Sequence, residues 1–328
     1  IEEIIELNVP YYGGRIFDIS SDGEMIVTLR SVSMRPPGLW LVTREWMGRD
    51  EKMLAEHNQW LDDRKLPEAR AVEWKSRDGT GIEGVLFLPP DHQKGTRYPG
   101  IISVHGGPMW AWWLGWHGSW HNWAVPLACE GYVVLLPNPR GSLGYGEGFA
   151  RANFNDWGGG DYEDVMAGAD YLVSAGYADQ DRLGICGWSY GGFMSSWAVT
   201  RTDRFKAAVA GAPVTNLFSF HGTTDITPDF LKQYFDGIAY RIPGVYRDHS
   251  PVEYVSECST PTLILQGGED SRVPPEQACQ FYRGLNQSGV ETELVIYPRE
   301  GHGFSELGHR RDVLRRIINW FGEYLLSD

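Results

Sequence analysis

The sequence predicts an α/β protein, in which a mostly parallel sheet is covered by helices on both faces and follows a short β segment. From Val72 onward, continuous apolar runs alternate with helical runs, which is typical of a parallel sheet buried on both faces. One such run leads directly into Gly187-Trp188-Ser189-Tyr190-Gly191 and then into a helical stretch. Residues 1–69 carry short strands between turn residues instead, which indicates an antiparallel sheet.

The N-terminal segment, residues 1–69, is predicted to form about four short strands and a linker. A lone sheet of this size is marginal in water unless another surface covers its apolar face. The expected strands lie at 16–20 and 25–29 around an Asp-Gly turn, and at 39–42 and 52–54.

The second domain is predicted to cover residues 70–328. A helix is expected from Asp161, because acidic residues occupy its first turn, and another follows Ser189. A last helix is expected near 308–326. The predicted strands of this domain lie at 84–88, 98–104, 132–136, 182–186, 207–211, 262–266 and 293–297.

Composition and charge exclude several classes of function. The formal net charge of −14 argues against nucleic acid as a partner, because phosphate binding needs a basic surface. No apolar run approaches the roughly 20 residues of a membrane span, and no signal peptide opens the chain, so we expect no membrane partner. The four cysteines, Cys129, Cys186, Cys258 and Cys279, lack CxxC spacing, which favours a cytoplasmic location.

The pentapeptide around Ser189 has the pattern of a nucleophile elbow, in which a serine stands on a sharp turn between a strand and a helix. The turn is so tight that side chains two residues either side of the serine would collide, and glycine removes that collision. The sequence therefore predicts that Ser189 is a nucleophile. The alternative is a glycine-rich turn that only packs.

A serine nucleophile needs a base, and the base needs an orienting carboxylate. In α/β-hydrolases these groups follow in the order Ser, Asp or Glu, His. The strand at 262–266 ends in a loop that holds Asp270, which we predict as the acid, with Glu269 as its local rival. His302, between two glycines after the strand at 293–297, is the predicted base.

Two backbone N–H groups are predicted to stabilise the oxyanion of the tetrahedral intermediate. One is the N–H of Tyr190, directly after the nucleophile, and the preferred second donor is Gly107 in His105-Gly106-Gly107-Pro108. His117 and His121, four residues apart, would suit zinc on a helix, but their Gly- and Trp-rich surroundings disfavour one. We expect neither a metal nor a cofactor.

Six motifs resemble the catalytic domain of the prolyl oligopeptidase family of serine peptidases, and most of all its acylaminoacyl-peptidase branch. Together they span about two-thirds of the chain. The motifs are the segments 105–108, 138–146, 187–192, 202–208, 268–274 and 300–304.

The resemblance implies an α/β-hydrolase domain that cleaves short peptides, often releasing a blocked N-terminal amino acid, with Ser189, Asp270 and His302 as its triad. It also implies that Trp188, Phe218 and Phe230 line the pocket for the residue before the scissile bond. An equally open interpretation is that these aromatic residues belong to the core.

The resemblance further implies an N-terminal β-propeller, of which residues 13–60 look like the last strands. We therefore expect a homo-oligomer or association with a missing N-terminal propeller portion, since open strand edges and apolar faces favour pairing. Two alternatives to a peptidase remain open. One is a carboxylesterase that uses the same triad, and the other is an inactive module that only binds peptides.

Overall fold

The computed structural model describes residues 17–31, 34–43, 51–227 and 229–326 of the chain. These residues form one antiparallel sheet of four strands and one mixed sheet of eight strands. Within the described residues, each helix is too short or too polar to pass through a lipid bilayer.

The small sheet has the strand order β1-β2-β3-β4, and each strand is antiparallel to its neighbours. The predicted turn between the first two strands is present, and Gly23 adopts a φ of 72° there. Ile16, the predicted start of the first strand, lies outside the described residues. The strands are Phe17–Ile19 (β1), Met25–Arg30 (β2), Gly38–Thr43 (β3) and Glu51–Ala55 (β4).

The large sheet has the strand order β12-β11-β10-β9-β7-β8-β6-β5. Strands β7 to β12 pair in parallel, whereas β6 is antiparallel to both β5 and β8. The strands are Glu68–Lys75 (β5), Gly81–Leu88 (β6), Tyr98–Val104 (β7), Val133–Asn138 (β8), Ala178–Trp188 (β9), Phe205–Gly211 (β10), Thr262–Gly267 (β11) and Thr292–Tyr297 (β12).

Strand β5 starts at Glu68, so the predicted domain boundary after residue 69 falls within this strand. The seven strands predicted for the second domain correspond to β6 through β12, and β5 is additional. Its sequence alternates polar and apolar residues at the edge of the sheet, so it lacks the continuous apolar run by which the other strands are recognised.

Helices cover both faces of the large sheet, as predicted. On one face Gly100 of β7 lies beside Leu172, and on the other face Gly184 of β9 lies beside Phe321. The helices are Ala124–Cys129 (α1), Glu147–Ala150 (α2), Gly160–Ser174 (α3), Tyr190–Val199 (α4), Leu217–Thr223 (α5), Asp229–Phe235 (α6), Pro243–Asp248 (α7), Pro275–Gln287 (α8) and Leu307–Phe321 (α9). Short 3₁₀ turns lie at Gln59–Leu61 and Pro251–Glu257, and a π-helical turn at Gly322–Leu326 follows α9.

The parallel strands position the candidate site because their carboxyl ends meet at one edge of the sheet. Strands β7, β9, β11 and β12 end immediately before the segments that carry His105, Ser189, Asp270 and His302. Strands β7 and β11 and the second half of β9 are almost wholly buried between the helical layers, whereas β12 at the edge of the sheet is partly exposed. A rigid core therefore holds four loops side by side.

Candidate active site

Ser189 alone makes the turn from strand to helix. Strand β9 ends at Trp188 and α4 begins at Tyr190, and Ser189 adopts φ 64° and ψ −118°. A positive φ is strained for a residue with a side chain and persists only where the surroundings enforce it. Here the Ser189 N–H donates to the Gly211 carbonyl at 2.9 Å, and the Ser189 carbonyl accepts from the Phe193 N–H at 2.9 Å.

The glycines of the pentapeptide are required by close backbone approach. A Cβ atom on Gly191 would overlap the carbonyl oxygen of Val104, and one on Gly187 would lie 2.6 Å from the Gly191 Cα. The start of α4 thus presses directly against the end of β7. This close approach explains why glycine occupies positions 187 and 191 of the predicted elbow. The Ser189 side chain remains partly exposed.

Asp270 and His302 lie together, although 32 residues separate them in the sequence. The Nδ1 atom of His302 is 2.8 Å from the Oδ2 atom of Asp270. The other oxygen of Asp270 accepts from the N–H groups of Arg272 and Val273, at 2.9 Å each. Because the carboxylate is an acceptor, it fixes the imidazole proton on Nδ1, which leaves Nε2 to accept a proton.

Glu269, the rival acid, is exposed. Its N–H donates to the carbonyl of Glu300 at 2.8 Å, so its backbone ties the loop of Asp270 to the loop of His302. Asp270, by contrast, is 2% exposed. A buried carboxylate holds its partner more firmly than one that water can reach.

A buried carboxylate that the sequence analysis missed holds the loop of His302. Glu300 is 1% exposed and accepts from the N–H groups of Ser305 and Glu306 at 2.7 and 2.9 Å, and from His309 Nδ1 at 2.9 Å. These contacts close a short loop around His302. The carboxylates of Glu300 and Glu306 and the His309 ring are near enough to one another to hold a metal ion, but Glu300 is already satisfied by N–H donors, and Glu306 pairs with Arg299.

Trp188 links the elbow to the base. Its Nε1 donates to the carbonyl of His302 at 3.1 Å, and its ring packs edge-on against Phe304 and Trp120. Only 8% of Trp188 is exposed. Its predicted contact with substrate rests on that small surface and stays a prediction.

The segment of Gly107 passes beside the nucleophile. A Cβ on Gly106 would lie 3.5 Å from the Ser189 Cβ, and Gly107 adopts a φ of 123° that suits glycine. Tyr190 is the first residue of α4, and the first N–H groups of a helix have no partner within the helix. The structure thus brings both predicted donor segments to Ser189.

Three histidines between β7 and α1 are held neutral by their surroundings. Burial lowers the pKa of His105, His117 and His121 to about 4 in each case. His105 Nε2 lies 2.8 Å from the Ser142 hydroxyl, and His117 Nε2 lies 2.7 Å from the Trp113 carbonyl. Residues 110–123 form no helix, so the spacing of His117 and His121 does not place them on one helical face.

The two phenylalanines predicted for the pocket are each half-buried. Phe218 in α5 makes an edge contact with Tyr240, with ring centroids 5.6 Å apart. Phe230 in α6 packs against Tyr234 and Trp157. Both retain surface that a ligand can touch, and their role stays a prediction.

Comparison with known proteins bears out the resemblance. A sequence model of the prolyl oligopeptidase family matches residues 116–328. The uncharacterized peptidase YuxL of Bacillus subtilis (strain 168) is 36% identical over 314 residues, which cover 94% of this chain and 47% of YuxL.

Solved structures agree in fold. The acylaminoacyl peptidase of Pyrococcus horikoshii superposes with a TM-score of 0.84 at 30% identity, over 95% of this chain and 49% of that one. An acylaminoacyl peptidase in complex with Z-Gly-Gly-Phe-chloromethyl ketone gives a TM-score of 0.84 at 29% identity, again over 95% and 49%. The chain spans about half the length of these relatives. It has the α/β-hydrolase fold and belongs to the prolyl oligopeptidase family.

Proposed function

We propose that this chain is the catalytic part of a serine peptidase that hydrolyses short peptides, N-acylated ones included, through an acyl-enzyme on Ser189. The observation that carries the proposal is the bond between His302 and the buried Asp270, in a loop that Trp188 ties to the strained serine. Serine, carboxylate and imidazole, in this order along the chain, are the parts of a nucleophilic hydrolase.

In the proposed reaction the Ser189 oxygen attacks the substrate carbonyl carbon while His302 Nε2 accepts the hydroxyl proton. The N–H groups of Tyr190 and Gly107 stabilise the resulting oxyanion. His302 then passes the proton to the leaving amine as the C–N bond breaks. A water molecule, deprotonated by the same imidazole, hydrolyses the ester and restores the serine.

The relatives support the choice of substrate. YuxL is described as a peptidase, and the similar structures are acylaminoacyl peptidases, one of which holds a peptide chloromethyl ketone. We therefore propose a short peptide or acyl-amino-acid substrate. Phe218 and Phe230 are proposed to form the apolar wall for the residue before the scissile bond.

The small sheet supports a proposed partner. Seven large apolar side chains on and near this sheet are exposed, and we propose that further β structure covers them, in a propeller portion or in a second copy. The proposed location is the cytoplasm, and the four free cysteines fit a reducing compartment. The exposed side chains are Phe17, Ile19, Met25, Leu29, Met53, Leu54 and Trp60.

The test compares kcat/KM for an acetyl-amino-acid anilide and a short p-nitrophenyl ester, with Ser189→Ala as the blank. Anilide cleavage that Ser189→Ala abolishes supports a peptidase. Ester cleavage alone would identify a carboxylesterase instead. Failure of a fluorophosphonate probe to label Ser189 would indicate a module that only binds.

A further inference from the structure

A second buried carboxylate lies behind the elbow, outside the predicted triad. Asp161, in the first turn of α3, has no exposed surface. Its Oδ1 accepts from the N–H groups of Gly158 and Tyr162 at 2.8 Å each, and its Oδ2 accepts from the Tyr190 hydroxyl. Burial raises the pKa of Asp161 to about 7, and the Tyr190 hydroxyl opposes that rise.

The Tyr190 side chain is fixed along its whole length. The residue is 2% exposed. Its ring stacks on Phe193 with centroids 5.5 Å apart and meets the edge of Trp157 at 5.0 Å. Ring and hydroxyl thus hold the residue that follows the strained Ser189 and carries the proposed oxyanion donor.

The same turn of α3 also holds the segment that leads to the other donor. The carboxylate of Asp164, fully buried, accepts from the N–H, Nε and Nη2 groups of Arg140. Two residues further on, the Ser142 hydroxyl contacts His105, which precedes Gly106 and Gly107. One turn of α3 therefore supports both proposed oxyanion donors, the Tyr190 segment directly through Asp161 and the Gly107 segment indirectly through Asp164.

We propose that Asp161 is a positioning residue for the oxyanion hole: by holding the Tyr190 hydroxyl, it fixes the direction of the Tyr190 N–H. The peptide group between Ser189 and Tyr190 lies in a strained turn, so its orientation depends on the contacts around it. Without the hydroxyl contact the ring of Tyr190 shifts and tilts that N–H away from the oxyanion. This inference rests on the proposed function, because an oxyanion forms only if Ser189 attacks a carbonyl.

The experiment replaces Tyr190 by Phe, which removes the hydroxyl and keeps the ring. The matched control is Tyr234→Phe, because Tyr234 is also 2% exposed and contacts Trp157. In the part of the chain that the structure describes, its hydroxyl has no hydrogen-bond partner. The readouts are kcat and KM on the acetyl-amino-acid anilide and Ki for an acetyl-peptide aldehyde, whose adduct with a serine carries an oxyanion.

We expect Tyr190→Phe to lower kcat about tenfold or more, since a small displacement of a catalytic group has a large effect on rate. KM should stay within about twofold, and Ki for the aldehyde should rise by the same factor as kcat falls. Tyr234→Phe should change none of the three. A purely structural role would lower the melting temperature and leave Ki unchanged.

A folded Tyr190→Phe enzyme whose kcat is within about threefold of the wild type would overturn the proposal, as would a fall in kcat without a matching rise in Ki. Should Tyr190→Phe not fold, Asp161→Asn gives a second test. Its oxygen must still face the N–H groups of Gly158 and Tyr162, so its amide turns toward the Tyr190 hydroxyl and can only donate to it. A weaker neutral bond with its direction reversed then replaces the bond from the hydroxyl to the carboxylate. We expect kcat and Ki to change together by several-fold, and wild-type values would refute the proposal.

Failure of the proposed function is visible separately. A wild-type chain that neither cleaves the anilide nor reacts with a fluorophosphonate contradicts the peptidase itself. An active wild type with unaffected Tyr190→Phe and Asp161→Asn variants contradicts only the role of Asp161.

Discussion

The two oxygens of Asp270 have separate tasks. One accepts two backbone N–H groups from its own loop, which fixes the carboxylate plane. The other faces His302 and also accepts from the Gln266 amide at 3.2 Å. The loop therefore determines which oxygen reaches the imidazole, and any replacement at this position must satisfy the same two N–H groups first.

Asp270→Asn is expected to lower kcat about 10⁴-fold with little change in folding. Its oxygen must stay with the N–H groups of Arg272 and Val273, so its amide faces His302 and donates to Nδ1. The imidazole then carries its proton on Nε2 and cannot accept one from Ser189. Steady-state kinetics on the anilide check this prediction.

The matched control is Glu269→Gln, the exposed neighbour, which should keep kcat within about twofold. An inactive Glu269→Gln beside an active Asp270→Asn would show that Glu269, and not Asp270, orients the base.

The sequence could predict which residues follow the ends of strands, because the end of an apolar run marks the point where a strand gives way to a loop. The predictions of Ser189, Asp270 and His302 as catalytic residues rest on this placement. Asp161 was predicted only as an acidic residue in the first turn of a helix. Its bond to Tyr190 joins positions 29 residues apart, and no local pattern reports such a contact. The carboxylate of Glu300 instead contacts residues five, six and nine positions further on, but the loop between them has no periodic pattern that would report the contacts.

At the scale of elements, the segment between β7 and α1 has no regular structure and is held by buried rings. His117 lies within it, with no exposed surface, and its ring makes edge contacts with Phe87 and Trp112. A charge there would be desolvated among aromatic rings. Protonation of His117 is therefore expected to destabilise this segment.

We expect the free energy of unfolding to fall as the pH drops from 6.5 toward 4. Burial lowers the pKa of His117 from 6.5 to about 4. Above pH 6.5 the imidazole is neutral in both the folded and the unfolded chain, so the folded state keeps its full stability. Below pH 6.5 the unfolded chain takes up the proton first, which lowers the free energy of unfolding. Between pH 6.5 and 5 the wild type should lose roughly 1.5 kcal/mol more than His117→Gln. Urea titrations at several pH values test this, and parallel curves for the two proteins would contradict it.

The junction of β9 and α4 tolerates no side chain at Gly191. Gly191→Ala would place its methyl group against the Val104 carbonyl. We therefore expect a loss of about 3 kcal/mol in the free energy of unfolding, and little labelling of Ser189 by a fluorophosphonate probe. Gly308→Ala, in the first turn of α9 with open space around it, should instead stabilise by up to about 1 kcal/mol. Equal stability of the two variants, measured in urea, would contradict the close approach.

The elements themselves were largely predictable, and the differences have physical causes. The helix expected from Asp161 is α3, which begins one residue earlier, at Gly160. The strand expected at 182–186 runs from Ala178 to Trp188. The prediction was too short because the first residues of the strand are mostly polar and its last residues adjoin glycine. The terminal helix changes to a π turn after Phe321, and the side-chain pattern gives no sign of that change.

At the scale of the molecule, the small sheet is apolar on both faces. Phe17 pairs with Thr28, and Ile19 pairs with Ile26, so these side chains lie on one face of the sheet. Met25 and Leu29 alternate with those residues and point to the opposite side. All four large side chains are more than 40% exposed. A sheet of this kind is suited to a position between two other layers.

We predict that the 328-residue chain self-associates with rising concentration. The double variant Met25→Glu/Leu29→Glu should weaken association by about tenfold or more, because charge opposes burial of that face. Its kcat/KM on the small anilide should not change, since the substitutions lie outside the α/β-hydrolase domain. Sedimentation velocity over a concentration series measures the association, and an unchanged constant would exclude this face as the contact.

The strand order has a consequence for the timing of synthesis. Strands β11 and β12 add to one edge of the large sheet, and the loops that follow them carry Asp270 and His302, whereas Ser189 precedes both in the chain and is synthesised earlier. A nascent chain that has already formed its elbow therefore has no acid or base beside the serine. If the proposed triad is correct, we therefore expect the serine to stay unreactive toward neighbouring nascent peptides until the sheet is complete.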